Sequence, residues 1–489
     1  MKIIKNLFQE TIYFKLLYLL FALCSIVPFV NQYTGDWFKF VLVYGWLILL
    51  YDLFTRRRFL TNRYLPWIAI FLGILLVTTV VNYDKSLVEN GKMMAYTVLQ
   101  FLLLANIDLH SDKRRTKREI LLLNQVAILG ISLISLASIV LFLLRINGAY
   151  FTQVGTEYES MYYFGVAYGN RLTGITANPN TLGIVGLIAI AAMFINRRLF
   201  PLSRTVKVLY ILAFLVNFAC FIMAGSRGAE VGAIVFFLVY LYFSWVKKLK
   251  KRSLLVIKHM AVFCAALVLV GTVYLCFKPI RRGLGYLPAS IALMTEAPEP
   301  GLEDETAADR LERYHVNLQR DTSSESQGNG RIALWKASAV VVKHHPLAGV
   351  GKYDVKAYFR KYMPNASLPG LEGGGMHNIL IQTVVSYGIF ALPALLLLLF
   401  MIAKDAVKIM YHPATRKTRY SLLTAVISAV LLLFSNNMVE ANILYTTSFM
   451  NCFFMLYLGY LMYFLQKDVD TASPGALAQE NSAGEAPGQ

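Results

Sequence analysis

The chain reads as an all-α, polytopic membrane protein of about twelve transmembrane helices with one large external loop, on three observations. Of its 489 residues 57% are apolar and only 15% charged. Apolar runs long enough to cross about 30 Å of hydrocarbon recur along its length. Lys and Arg gather in every second loop between those runs, the pattern expected where basic flanks resist translocation.

In order, the spans are expected near residues 12–30, 37–54, 64–82, 92–107, 119–146, 180–195, 206–224, 228–246, 254–277, 376–403, 420–437 and 443–465. The fourth is short. Basic loops around Arg56 to Arg63, Lys113 to Arg118, Arg197 to Lys207, Lys247 to Arg252 and Arg416 to Arg419 alternate with loops poor in Lys and Arg, which places the former and both termini in the cytoplasm and the protein in the plasma membrane. The formal charge of +19 is then an address on the cytoplasmic face and an attraction to anionic membrane lipids, with no nucleic-acid partner implied. Lys2 and Lys5 precede the first span and Lys15 lies near its start; no small-x-small cleavage pattern followed by a soluble domain is present, and the span reads as an uncleaved anchor. Cys24, Cys220, Cys264, Cys276 and Cys452 all fall within apolar spans without paired spacing, so packing is their expected role and neither a disulfide framework nor a thiolate metal site is expected.

This divides the chain into a membrane domain over residues 1–277, a large external loop over 278–375, a second membrane stretch over 376–465 and a disordered cytoplasmic tail over 466–489. A smaller external loop covers 147–179. Within the large loop, the acidic segment from Thr295 and the Ser/Gln/Gly-rich segment from Asp321 read as linker across 293–330. Residues 331–345 carry apolar side chains at helical spacing with Arg and Lys between them, predicting an amphipathic helix at the outer surface.

Span centres are nearly free of ionisable residues, and the polar motifs collect where spans meet the outer surface, at four places. Gly225-Ser226-Arg227-Gly228 forms a tight turn into the eighth span. Unpaired amides at that helix start, beside Arg227, suit a phosphate; snorkelling or an Arg227–Glu230 pair is the structural alternative. Arg171 precedes Asn178-Pro179-Asn180-Thr181, where Asn178 is a candidate N-cap and Pro179 the first helical residue of the sixth span. Gly330-Arg331 opens the surface helix, which ends in His344-His345-Pro346 and a Gly-bearing turn; adjacent histidines on a helix do not converge and no carboxylate has ligand spacing, so no metal site is assigned. Gly373-Gly374-Gly375 leads to Met376, His377 and Asn378. An imidazole at a helix N-terminus, where the neutral form is favoured, is a candidate general base. Together, arginines and helix ends suit a diphosphate, and one His suits deprotonation of a hydroxyl.

Four stretches carry a family likeness: RLTGITANPNTLG from Arg171, AGSRGAEVGA from Ala224, RIALWKASAVVVKHHPLAGVG from Arg331 and HNILIQTVVSYGIFAL from His377. In this order, around a large external loop, the chain resembles the O-antigen ligase and O-antigen polymerase family of bacterial membrane glycosyltransferases. The resemblance covers roughly residues 170–400. It implies a GT-C-like helical architecture and an inverting, metal-independent transfer of glycan from an undecaprenyl diphosphate carrier to a glycan or lipid acceptor hydroxyl at the outer face, with no cofactor. It implies diphosphate binding by Arg227 and Arg331 and base catalysis by His377. Arg171, Ser226, Asn378 and Glu440, the last in a short outer loop before the twelfth span, are the expected substrate-binding residues. A transporter or flippase of lipid-linked oligosaccharide is the alternative, since about twelve spans and a basic chain occur there too. A sensor is a third reading, and lacks a recognisable output domain.

Overall fold

The computed structural model describes residues 10–83, 86–154, 159–167, 169–246, 255–295, 305–319, 326–364, 375–411 and 420–471. Lys2 and Lys5, the basic clusters at 247–252 and 416–419, most of the acidic and Ser/Gln/Gly-rich segments, Gly373 and Gly374, and the tail beyond Thr471 lie outside them.

The fold is a helical bundle, and each expected span contains helix, although the first, 12–30, is broken between Thr11–Cys24 and Pro28–Thr34 and the last begins only at Phe449. Seven helical stretches are long and apolar enough to cross a membrane, and Thr11–Cys24, Leu65–Val81 and Tyr420–Asn436 are shorter apolar helices. Burial sorts them into layers. The window within Phe449–Lys467 is wholly buried and that within Pro179–Leu199 83% buried, whereas that within Val256–Thr295 is only 17% buried. A helix apolar on all sides belongs at the centre of such a bundle, and Phe453, Leu456, Tyr457, Leu461 and Phe464 fill that centre. Buried polar groups of the first helices are paired: Gln100 donates to Tyr18 and accepts from Asn451, and Lys15 bonds Glu119 at 2.8 Å. Unpaired, each would lose its hydration for nothing in return.

The structure departs from the sequence-based expectations in several places: the linker expected over 293–330 holds helix Ala307–Arg313, started by a Thr306–Asp309 capping box, and the surface helix expected to open at Arg331 begins at Ser326. The fourth span is a helix, Leu87–Leu99, finished by a π-helical turn, Gln100–Leu104. The smaller loop holds an antiparallel sheet of strands β1 (Gly148–Thr152), β2 (Ser160–Ala167) and β3 (Arg171–Gly174), with Tyr150 opposite Tyr162; its aromatic and β-branched residues favour a pleated surface. The chain after Leu275 continues directly as short helices Phe277–Leu284 and Leu287–Thr295. The tenth span is broken into Ile379–Tyr387 and Ala391–Met410.

That last break has a clear physical cause. Gly388 stands at φ +82° with the carbonyl oxygen of Leu347 only 1.9 Å from where a Cβ would be, so only glycine fits. The turn after the histidine pair is laid against the broken helix: Val350 N–H donates to the Val385 carbonyl, Gly351 N–H to that of Ser386, and Ile389 N–H to that of Pro346. These bonds satisfy carbonyls that a helix end leaves orphaned. Helix Ser326–His344 packs over the same place, through Leu334, Ala337 and Val341 onto Val350, Val355, Phe359, Met376 and Val385. His345 Nε2 meets the Tyr362 hydroxyl at 2.8 Å, and His344 stacks on the Tyr362 ring. Both histidines are thus part of this packing.

Candidate functional site

Three helices begin at one end of the bundle, each with a polar start written in its sequence. Asn178, in extended conformation, caps Pro179–Leu199 by accepting from Asn180 N–H, with Pro179 in the first turn. Ser226 starts Arg227–Val246, its hydroxyl accepting from Ala229 N–H at 3.3 Å. Asn378 caps Ile379–Tyr387 by accepting from both Leu380 and Ile381 N–H. Each cap contributes about 1 kcal/mol and fixes where its helix begins.

Glu440 joins what these starts carry. Its Oε1 accepts from Arg331 at 3.0 Å and from Asn180 at 3.2 Å, and its Oε2 lies 3.1 Å from His377 Nδ1. Arg171 extends the network, donating through one terminal nitrogen to Asn180 Oδ1 at 2.6 Å and through Nε to the Ala224 carbonyl at 2.9 Å. A continuous hydrogen-bonded chain therefore runs from the end of helix Arg204–Ala224, through Arg171 and Asn180, to Glu440, Arg331 and His377. The Glu440 side chain is 12% exposed, whereas Arg331 and His377 keep 31% and 30%. The carboxylate is the enclosed anchor and the two basic groups face outward from it.

The backbone around His377 is held from several sides. His377 itself sits at φ +49°, a left-handed conformation costing a non-glycine residue of order 1 kcal/mol or more. On one side Met376 N–H donates to the buried Gln382 Oε1, and the Met376 carbonyl accepts from Trp335 Nε1 at 2.8 Å. On the other, Asn378 Nδ2 donates to the Met438 carbonyl and Ile379 N–H to that of Asn437. Those contacts tie His377 to the loop that presents Glu440. With Glu440 ionised, Nδ1 carries the hydrogen of the shared bond and Nε2 keeps its lone pair turned away from the carboxylate.

Arg227 lies at the edge of this cluster. It follows an elbow in which Gly225, at φ +54°, ends helix Arg204–Ala224 in left-handed conformation, the residue type such a cap favours. A Cβ on Gly228 would stand 2.8 Å from Asn436 Nδ2 and 3.0 Å from a Val439 methyl. The helix of Arg227 thereby abuts the loop of Glu440. Arg227 is exposed, and its guanidinium makes no hydrogen bond or ion pair among the described residues. It lines a cavity of about 280 Å³ with Gly225, Glu230, Tyr274 and Arg281. The Arg227–Glu230 pair weighed above as the structural alternative is not formed: Glu230 is taken by Arg281 at 2.6 Å.

Of the residues expected from sequence, Arg171, Arg331, His377 and Glu440 belong to one network, Arg227 stands beside it, and Ser226 and Asn378 are occupied as helix caps. Asn180 and Arg281 were missed. Asn180 was visible only as part of a cap run, while Arg281 sits in a basic stretch whose folding back onto the elbow depends on tertiary packing. Among the described residues no three His, Cys, Asp or Glu side chains gather as a metal site.

A polytopic helical membrane protein with a cluster of Arg, His and carboxylate at the end of its bundle is the class that fold and site define. Residues 212–396 match the family model described as O-antigen ligase, so that stretch is similar to the O-antigen ligase family. No curated protein matches the chain. The matched stretch contains Arg227, Arg331 and His377; Arg171 and Glu440 fall on either side of it.

Proposed function

We propose that the protein transfers glycan from an undecaprenyl diphosphate carrier to an acceptor hydroxyl at the outer face of the plasma membrane, as a polysaccharide ligase or polymerase. The observation that carries this is the pairing of His377 and Arg331 on the two oxygens of Glu440. One carboxylate thus fixes a base and a phosphate-binding cation relative to each other.

His377 Nε2 takes the proton of the acceptor hydroxyl as its oxygen bonds to the anomeric carbon. The bond from that carbon to the diphosphate oxygen breaks, and its electron pair leaves with the carrier diphosphate. Arg227 and Arg331 stabilise the charge that grows there, the term on which such displacements chiefly depend. Attack opposite the leaving group inverts the anomeric centre. The arginines fill the role a divalent cation plays elsewhere, so transfer proceeds without metal. In this reading the chain makes about twelve crossings in a GT-C-like arrangement with both termini cytoplasmic, and membrane lipids surround it. Arg171 and Asn180 hold the network together, and Ser226 and Asn378 contribute through their helix starts. Ligase and polymerase differ only in the acceptor offered to His377. A transporter would want charges along a path through the membrane, whereas the network described here lies at one end of the bundle.

The test is transfer from a synthetic undecaprenyl diphosphate oligosaccharide by purified protein in liposomes, without nucleotide sugar and with chelator present. A glycan product whose anomeric configuration is opposite to the donor's is expected. No product with any offered acceptor, together with movement of labelled lipid between leaflets, would replace the enzyme reading with the transporter.

A further inference from the structure

Arg281 occupies a position that neither the family resemblance nor the expected site includes. It lies on the short helix Phe277–Leu284 and reaches back to the elbow that delivers Arg227. Its Nε donates to the Ile222 carbonyl at 2.7 Å and a terminal nitrogen to Glu230 Oε1 at 2.6 Å. Its guanidinium lies so close to Gly225 that a Cβ there would meet it at 2.9 Å. The pair is largely enclosed, with side-chain exposures of 12% for Arg281 and 11% for Glu230.

The consequence concerns Arg227. Glu230 follows Arg227 by three positions on one helix, the spacing at which a carboxylate and a guanidinium are natural partners. Left to itself, Glu230 would bond Arg227 and cancel its charge. Arg281 offers Glu230 a better partner: it is enclosed, so the pair is screened little by solvent, and its planar fork is already held by the Ile222 carbonyl. Arg227, Arg281 and Glu230 line the same 280 Å³ cavity, which therefore carries one net positive charge, located on Arg227.

Resting on the glycosyl-transfer reading, we propose that Arg281 is a positioning residue for the donor site: it withdraws Glu230 from Arg227 and keeps Arg227 available to a diphosphate. It also braces the Gly225 elbow from which Arg227 projects. Loss of Arg281 therefore acts through Glu230.

That dependence is testable with R281Q, E230Q and the R281Q/E230Q double variant. The readouts are binding of inorganic diphosphate by calorimetry and the KM and kcat for a polyprenyl diphosphate glycan donor. R281Q is expected to weaken diphosphate binding and raise donor KM by about tenfold or more, the scale of one charge-assisted hydrogen bond, as the freed Glu230 turns to Arg227. The double variant, with no carboxylate to neutralise Arg227, is expected to return both quantities to within about threefold of wild type, and E230Q alone to bind diphosphate at least as well as wild type. Thermal unfolding in detergent identifies any variant that has lost its fold; the double variant leaves no buried charge unpaired and keeps the test open if R281Q is unstable. Folded R281Q with unchanged diphosphate binding, or a folded double variant as impaired as R281Q, would overturn the proposal. Diphosphate binding answers this even if no glycan is transferred, so failure of the catalytic reading and failure of the Arg281 assignment are distinguishable.

Discussion

Two helix starts at a shared end of the bundle handle basic side chains in opposite ways. At the Met376-His377-Asn378 start, the imidazole and the neighbouring Arg331 are bonded to Glu440. At the Gly225-Ser226-Arg227 start, the carboxylate that could bond the arginine is bonded elsewhere, to Arg281. A base must be oriented, and a carboxylate on Nδ1 orients it while leaving Nε2 free. A cation offers an anion its full charge when unpaired, and diverting Glu230 leaves Arg227 so, whereas Arg331 shares its charge with Glu440 and is oriented by it. The difference separates proton transfer from charge stabilisation and gives each its own supporting residue.

Substitutions that break the oriented start have the largest expected effect. His377→Ala removes the base and should lower transfer by about 10² to 10⁴, the usual contribution of general base catalysis, with donor binding retained; equal loss of donor affinity would show that His377 binds rather than reacts. Glu440→Gln keeps hydrogen bonding but not charge, and should lower kcat by about tenfold to a hundredfold through misdirected His377 and Arg331. A kcat within twofold of wild type would remove Glu440 from the mechanism.

Changes to the scaffold beneath each start should act on stability first. Gly388→Ala forces a side chain against the Leu347 carbonyl at φ +82° and should cost about 2 kcal/mol or more, seen as a lower unfolding temperature in detergent. Asn378→Ala loses two accepted amide bonds and about 1 kcal/mol, and it should lower kcat further than an equally destabilising change in the periphery, because His377 adjoins the cap.

The smallest effect is electrostatic and lies outside both starts. Burial pushes the Lys352 amine down to about 8 from its ordinary value of 10.5. The folded chain therefore sheds this proton before the unfolded one does. Its destabilising contribution is full below about pH 8 and is relieved as pH rises from there toward the ordinary lysine value. Lys352→Met should flatten that part of the stability profile; an unchanged slope between the two chains would show that Lys352 is well hydrated.

How much of this was legible in sequence depended on how local the determinants were. Apolar runs and alternating basic loops marked the long apolar helices of the bundle but not short ones such as Phe277–Leu284 and Val355–Tyr362, and Asn178-Pro179 and Asn378 announced their caps, since capping needs only neighbouring backbone. The break at Gly388 was not legible: nothing within the span distinguishes it from a tolerated glycine, and the clash that demands it comes from Leu347 in another segment. Likewise the small sheet arose where only an external loop was expected, because its strands are short and stabilised by cross-strand aromatic pairs. In the site, His377 and the arginines stood out by residue type at helix starts. The role of Asn180, and the exchange by which Arg281 rather than Arg227 holds Glu230, are decided between segments far apart in the chain.

The central claim, that Glu440 orients His377 as the base, is tested most directly by kcat for His377→Ala, Glu440→Gln and the double variant with a saturating lipid-linked donor and acceptor. Where His377 is present, Glu440→Gln should lower kcat by about tenfold or more, as expected for a misdirected base, and it should have a much smaller further effect once His377 is alanine. The same loss from Glu440→Gln in both backgrounds would contradict the claim.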